Sequence, residues 1–148
     1  MLRAMSFRTL ISTSIAALAM LPALAHLQEL PAAAPLDYRM NERIVRVPAG
    51  EGQAQLETTV FQPNGAGPFP LIIINHGKDP GRPNMQPRDR FYHMATAFVK
   101  RGYAVMVPMR QGFANSTGRY RDRGCDMTTN GYLQAEDIRS AVEYARTQ

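Results

Sequence analysis

Cysteine occurs once in these 148 residues, at Cys125, and histidine only three times. A lone cysteine forms no internal disulfide, so an oxidising compartment would leave no disulfide framework in this chain. No C-x-x-C or H-x-x-x-H pair occurs, and with that spacing missing no metal site is expected. Net charge is modest. The formal balance is +5, and setting aside Arg3 and Arg8 lowers it by two, because residues 1–25 hold no acid. No basic helix and no interleaving of basic and aromatic residues accompanies this charge, so no nucleic-acid partner is expected. Internal repeats are absent. The one extended apolar run, Leu10 to Leu21, is shorter than the roughly 20 residues a spanning helix needs, which argues against stable membrane insertion.

That same run has another use. Arg3 and Arg8 precede it, and Ala23-Leu24-Ala25 follows with the small-x-small pattern of a signal-peptidase site. Residues 1–25 therefore read as a signal peptide. The expected product is an exported protein, periplasmic or extracellular, that begins at His26. The residue after the cleavage site is His26 and the single cysteine, Cys125, lies far from it, so no lipid anchor is expected there. Residues 26–41, rich in alanine and proline from His26 to Pro35, read as a flexible lead-in.

From residue 42 the pattern becomes that of a folded domain. Glu42–Val47 and Gln55–Phe61 read as strands joined by a glycine-rich turn at Ala49 to Gly52. Leu56, Thr58 and Val60 alternate with Glu57 and Thr59, the period-two signature of a half-buried strand. Gln62–Pro70 is a loop. Its Gly65-Ala66-Gly67 lacks a third glycine and a following helix, so no dinucleotide cofactor is expected. Leu71–Asn75 is apolar through Ile74, as in a strand covered on both faces. A polar loop from His76 to Pro87 follows. Asp89–Arg101 reads as a helix with Phe91, Met94, Ala95 and Phe98 on one face. Lys100 and Arg101 suit its negative end, and Gly102 suits the left-handed residue beyond it. Tyr103–Pro108 is another apolar strand. Gly131–Arg146 reads as a helix, with Asn130 as N-cap and Ala135, Ile138, Val142 and Ala145 on its apolar face. The order implies a layered α/β domain, a mixed sheet of about four strands with flanking helices.

Three stretches carry a resemblance. Pro70–Gly77 (PLIIINHG), Arg110–Gly118 (RQGFANSTG) and the helix with Ala135-Glu136-Asp137-Ile138 and Ala141-Val142 together resemble the α/β-hydrolase family, in particular its dienelactone hydrolase and prolyl-oligopeptidase-like branches. The resemblance covers residues 42–148 and implies part of an α/β-hydrolase fold. It also implies that His76, Gly77 and Lys78 form an oxyanion-hole loop. There a backbone N–H of Gly77 or Lys78 would meet the oxygen that gains charge when an ester or amide is attacked. Glycine would let the substrate approach the backbone, and His76 would brace the loop. The implied substrate is a small ester or peptide, with no cofactor.

The nucleophile is harder to place. Beyond residue 25 the serines are Ser116 and Ser140. Ser116, in Ala114-Asn115-Ser116-Thr117-Gly118, is one substitution from G-x-S-x-G, yet no strand runs directly into it and no helix follows. His26, His76 and His93 all precede Ser116 and Cys125, whereas the family places its histidine last. Cys125 lacks the same elbow. Arg119, Arg121 and Arg123 read as a solvated loop, and the adjacent Glu136 and Asp137 point apart on a helix. No catalytic residue is assigned. The expectation is the amino-terminal part of an exported hydrolase, ending before the nucleophile elbow and inactive alone. The alternative is a short non-catalytic exported protein that binds a partner through an open sheet edge. The resemblance places Leu71–Asn75 between Tyr103–Pro108 and the elbow strand. Without that strand the chain alone is expected to aggregate or self-associate through Leu71–Asn75, which no proline or lysine blunts.

Overall fold

The computed structural model describes residues 35–50 and 53–148. The expected signal peptide, the lead-in as far as residue 34 and part of the turn at 49–52 lie outside the described residues.

β1 (Arg43–Ala49) and β2 (Ala54–Phe61) form an antiparallel hairpin, with Arg43 opposite Val60 and Ala49 opposite Ala54. The chain then forms β3 (Leu71–Ile73), α1 (Tyr92–Val99), β4 (Ala104–Pro108) and α2 (Met127–Arg146). β4 lies between β2 and β3, antiparallel to the first and parallel to the second, so the sheet order is β1-β2-β4-β3. A hairpin beside a β-α-β unit gives the mixed sheet that the element order implies.

Alternation along the strands sends side chains to two cores. Val105 and Val107 join Phe61, Ile72, Ile74 and Ala95 on the α1 face, while Met106 joins Val47, Leu56, Leu71, Ile73 and Ala141 on the α2 face. The sheet is thus covered from both sides. Among the described residues no helix is long and apolar enough to cross a membrane.

Two-sided cover explains where polarity misled. β2 is buried from Leu56 to Phe61 and not half-buried. Glu57 accepts the backbone N–H and the side-chain amide of Asn115, each at 3.1 Å, and Thr59 donates to the Asp89 carbonyl at 3.2 Å. Partnered polar groups tolerate burial, so their alternation did not report exposure. β3 errs the other way. It ends at Ile73, Asn75 is exposed, and Leu71, Ile72 and Ile73 are only partly buried. Among the described residues it pairs with β4 alone.

The helices show similar shifts. α1 starts at Tyr92 and turns Ala95 fully inward, which leaves Met94 49% exposed. Its end follows the glycine rule. Gly102 has φ +86°, its N–H donates to Val99 at 3.0 Å, and Tyr103 N–H reaches back to Phe98 at 3.2 Å. The Phe98 and Tyr103 rings then meet edge-on at 6.1 Å, the apolar contact that accompanies such a cap. α2 begins earlier than Gly131. Asp126 caps it by accepting the N–H of Thr129 at 3.0 Å. Asn130 lies inside the first turn, accepting from Arg123 N–H at 2.8 Å and donating to Gly124 at 2.9 Å. The buried face runs through Asn130, Asp137 and Ala141, while Ala135 is exposed and Ile138 and Val142 are half-buried. A buried carboxylate at Asp137 sets that rotation, as its bonds below show. The end of the lead-in is also packed. Tyr38–Met40 form a 3₁₀ turn, and Met40 joins the α1-face core, which anchors what composition alone marked as flexible.

Candidate functional site

The carboxyl ends of the parallel strands β3 and β4 lie side by side, and each leads into a polar loop. In open α/β sheets this end is where functional groups gather. His76 follows β3 and Arg110 follows β4.

His76 is only 5% exposed. Its Nε2 accepts the backbone N–H of Arg110 at 3.0 Å, so the ring proton must sit on Nδ1, which donates to the Gly77 carbonyl at 2.6 Å. The ring packs edge-on against Phe113 with centroids 4.6 Å apart. Burial pushes the imidazole below its ordinary value; the Gly77 carbonyl opposes that shift and the Arg110 charge adds to it. The result is a neutral ring with both nitrogens engaged. It braces the loop.

The Gly77 carbonyl is a small hub. Besides His76 it accepts from the Gln86 side chain at 3.3 Å and the Arg110 guanidinium at 3.4 Å. A trans peptide holds its C=O and the next N–H in opposite directions. With the Gly77 carbonyl drawn in toward three donors, the N–H of Lys78 faces away from them. Among the described residues no acceptor takes the N–H of Gly77 or Lys78. A methyl group added at Gly77 would meet nothing within 4 Å, so the space before the loop is open. This geometry favours Lys78 over Gly77 as the outward donor.

Two residues of this cluster escaped sequence reasoning. Gln86 is 7% exposed and closes the loop by accepting Asp79 N–H at 2.9 Å and donating to Gly77 and Asp89. Nothing in Met85-Gln86-Pro87 announces it. Arg110 did carry a signal, being the first charged residue after the apolar stretch of β4. Its guanidinium is half-buried over the Phe113 ring at 4.7 Å, and burial lowers its pKa while Tyr120 and Asp137 oppose.

The loop after Arg110 is laid along β2 where β4 has ended. Met109 N–H donates to Glu57 O and Thr117 N–H to Gln55 O, both at 2.9 Å. Ser116 belongs to this seam. Its Oγ donates to Met109 O at 2.7 Å and accepts Glu57 N–H at 2.8 Å. Ser140 Oγ donates to Glu136 O at 3.1 Å within α2, and Cys125 is exposed. Among the described residues no hydrogen bond joins a histidine to any of these three. Arg121 is not simply solvated. It pairs with Glu136 and with the buried Asp137, at 2.5 and 3.3 Å. No group of three potential metal ligands occurs among the described residues.

No curated protein matches the sequence. A hypothetical protein from Pseudomonas aeruginosa has a similar structure, with TM-score 0.54 and 22% identity over 79% of this chain and 34% of that one. An α-amino acid ester hydrolase aligns with TM-score 0.43 and 24% identity over 70% of this chain and 18% of that one. The chain spans about a third of the first structure's length. The first likeness carries the fold alone. A family model goes further, because it matches residues 51–148, which take in β2 to α2 and the whole His76–Arg110 cluster. On that match the chain belongs to the X-Pro dipeptidyl-peptidase (S15) family, a hydrolase family of the α/β type.

Proposed function

We propose that residues 42–148 supply the oxyanion-loop half of a hydrolase site acting on peptides with an X-Pro start or on related carboxylic esters, in an exported protein. The supporting observation is the Lys78 N–H, turned outward by a Gly77 carbonyl that three donors hold. In such a site a serine or cysteine attacks the carbonyl carbon, and the carbonyl oxygen takes up the electron pair. Lys78 N–H would donate to that oxygen. Collapse of the adduct expels the amine or alcohol, and water then releases the acyl group. The finer likeness to dienelactone hydrolases rests on the His76-Gly77 loop. The S15 match supports peptide chemistry as the better guide to substrate.

Among the described residues Ser116, Ser140 and Cys125 have no histidine partner, so none of them serves as the nucleophile of the proposed site. The chain alone should therefore hydrolyse p-nitrophenyl acetate and Gly-Pro-p-nitroanilide no faster than background. A product burst that vanishes in Ser116→Ala would overturn this. The oxyanion role is tested in any form of the protein that carries a nucleophile elbow. Lys78→Pro removes the N–H and should lower kcat about 10²–10³-fold, while Lys78→Ala keeps the N–H and should keep the rate. Equal rates for the two variants would remove Lys78 from the mechanism.

A further inference from the structure

We propose that Gln86 is the positioning residue of the oxyanion loop: its one carboxamide fixes both peptide planes that flank Lys78 and so aims the Lys78 N–H. The role rests on the oxyanion reading above, whereas the bonds that carry it do not depend on that reading.

Lys78 joins two peptide planes, and its φ and ψ are the only soft rotations between them. The first plane holds the Gly77 C=O and the Lys78 N–H, the second the Lys78 C=O and the Asp79 N–H. Gln86 Nε2 donates to the Gly77 carbonyl at 3.3 Å, and Oε1 accepts the Asp79 N–H at 2.9 Å. Each plane is therefore tied to the same side chain. His76 and Arg110 hold only the first. The Asp79 N–H has no other acceptor among the described residues.

The amide can face only one way. A backbone N–H requires its oxygen, while a carbonyl and a carboxylate require its nitrogen. Asp89 supplies the carboxylate, with Oδ2 accepting from Nε2 at 3.3 Å. Asp89 is itself fixed. Its carbonyl accepts from Thr59 Oγ1 at 3.2 Å, and its N–H donates to Met109 Sδ at 3.3 Å. The clamp thus leads from β2 and the end of β4 through Asp89 and Gln86 to Lys78. Backbone restraint adds to it. Gln86 N–H donates to Pro83 O at 3.1 Å, and Pro87 keeps Gln86 extended, at φ −69° and ψ 124°. Gln86 is buried, and every one of these bonds lies within the described residues.

Two variants separate this role from packing. Gln86→Met keeps the length and loses both bonds, whereas Gln86→Glu keeps an acceptor for Asp79 and loses the donor to Gly77. In a form of the protein that carries a nucleophile elbow, Gln86→Met should lower kcat and kcat/KM together, about 10–10²-fold, with KM unchanged. Gln86→Glu should fall between it and wild type. Added to Lys78→Pro, the methionine should change kcat less than about twofold, since no N–H is left to aim. Effects that multiply in the double variant would overturn the proposal, as would a wild-type rate in Gln86→Met.

Nitrogen-15 relaxation on the full chain gives a readout without activity. The Lys78 order parameter should be about 0.85, as in rigid backbone, although no acceptor holds its N–H. In Gln86→Met it should drop below about 0.6 while Ile72 and Met106 stay rigid. A Lys78 value below about 0.6 in the unaltered chain would overturn the proposal, and this measurement decides the matter if the variants fold poorly. So would an unchanged value in folded Gln86→Met. A Lys78 ordered by Gln86, together with an unimpaired rate in Lys78→Pro, would overturn the oxyanion reading and leave the clamp standing.

Discussion

His76 Nε2 accepts the backbone N–H of Arg110 at 3.0 Å, so one side chain ties the ends of the two parallel strands. The bond exists only while that nitrogen is unprotonated. Burial holds the ring below its ordinary value of 6.5 in the folded state, and the unfolded chain therefore takes up the proton first. Stability should be full above about pH 6.5 and fall as pH drops from there toward the depressed folded value. Urea midpoints measured across this window should rise with pH, and His76→Gln should flatten the slope. A wild-type midpoint that does not change there would contradict the neutral, bonded ring.

Two glycines should respond oppositely to alanine. At Gly112, φ is +78° and an added Cβ would lie 2.3 Å from the Tyr120 nitrogen and 2.7 Å from its Cα. Conformation alone costs on the order of 1–3 kcal/mol there, and the backbone clash adds to it. At Gly77 the φ is ordinary and the space is empty, so Gly77→Ala should stay within about 0.5 kcal/mol of wild type. Denaturant unfolding of the two variants side by side makes the comparison.

Asp137 anchors α2 to the β4 loop. Its carboxylate, on a residue 3% exposed, accepts Gln111 N–H at 3.0 Å, the Gln111 amide at 2.7 Å and Arg121 at 3.3 Å. Asp137→Ala strands those donors and should cost about 3 kcal/mol. Asp137→Asn, which keeps part of the set, should cost less. Equal stability of all three forms would show that the apolar face holds the helix without it.

Export gives a prediction independent of the fold. Intact mass of secreted material should correspond to a chain beginning at His26. Recovery of exported protein that retains Met1 to Ala25 would count against cleavage at Ala25.

The sequence by itself determined the order of elements and the places where chemistry could gather. These are local properties. A run such as Leu71–Ile74 admits a strand wherever it lands, and Gly102 ends α1 because its own backbone tolerates φ +86°. The polar residue after each parallel strand was visible for the same reason, since a break in hydrophobicity marks a strand tip. Only the tertiary structure decided which polar groups are buried. Glu57 meets Asn115 and His76 meets Arg110 across separations of 58 and 34 residues, and no periodicity reports a partner so far along the chain. It also decided that β4, and not β3, lies beside β2, because either apolar strand fits either position until its neighbours compete for its hydrogen bonds. The outward turn of the Lys78 N–H has the same origin. A peptide plane follows whichever donors hold its carbonyl, and two of those three donors, Gln86 and Arg110, reach it through folding.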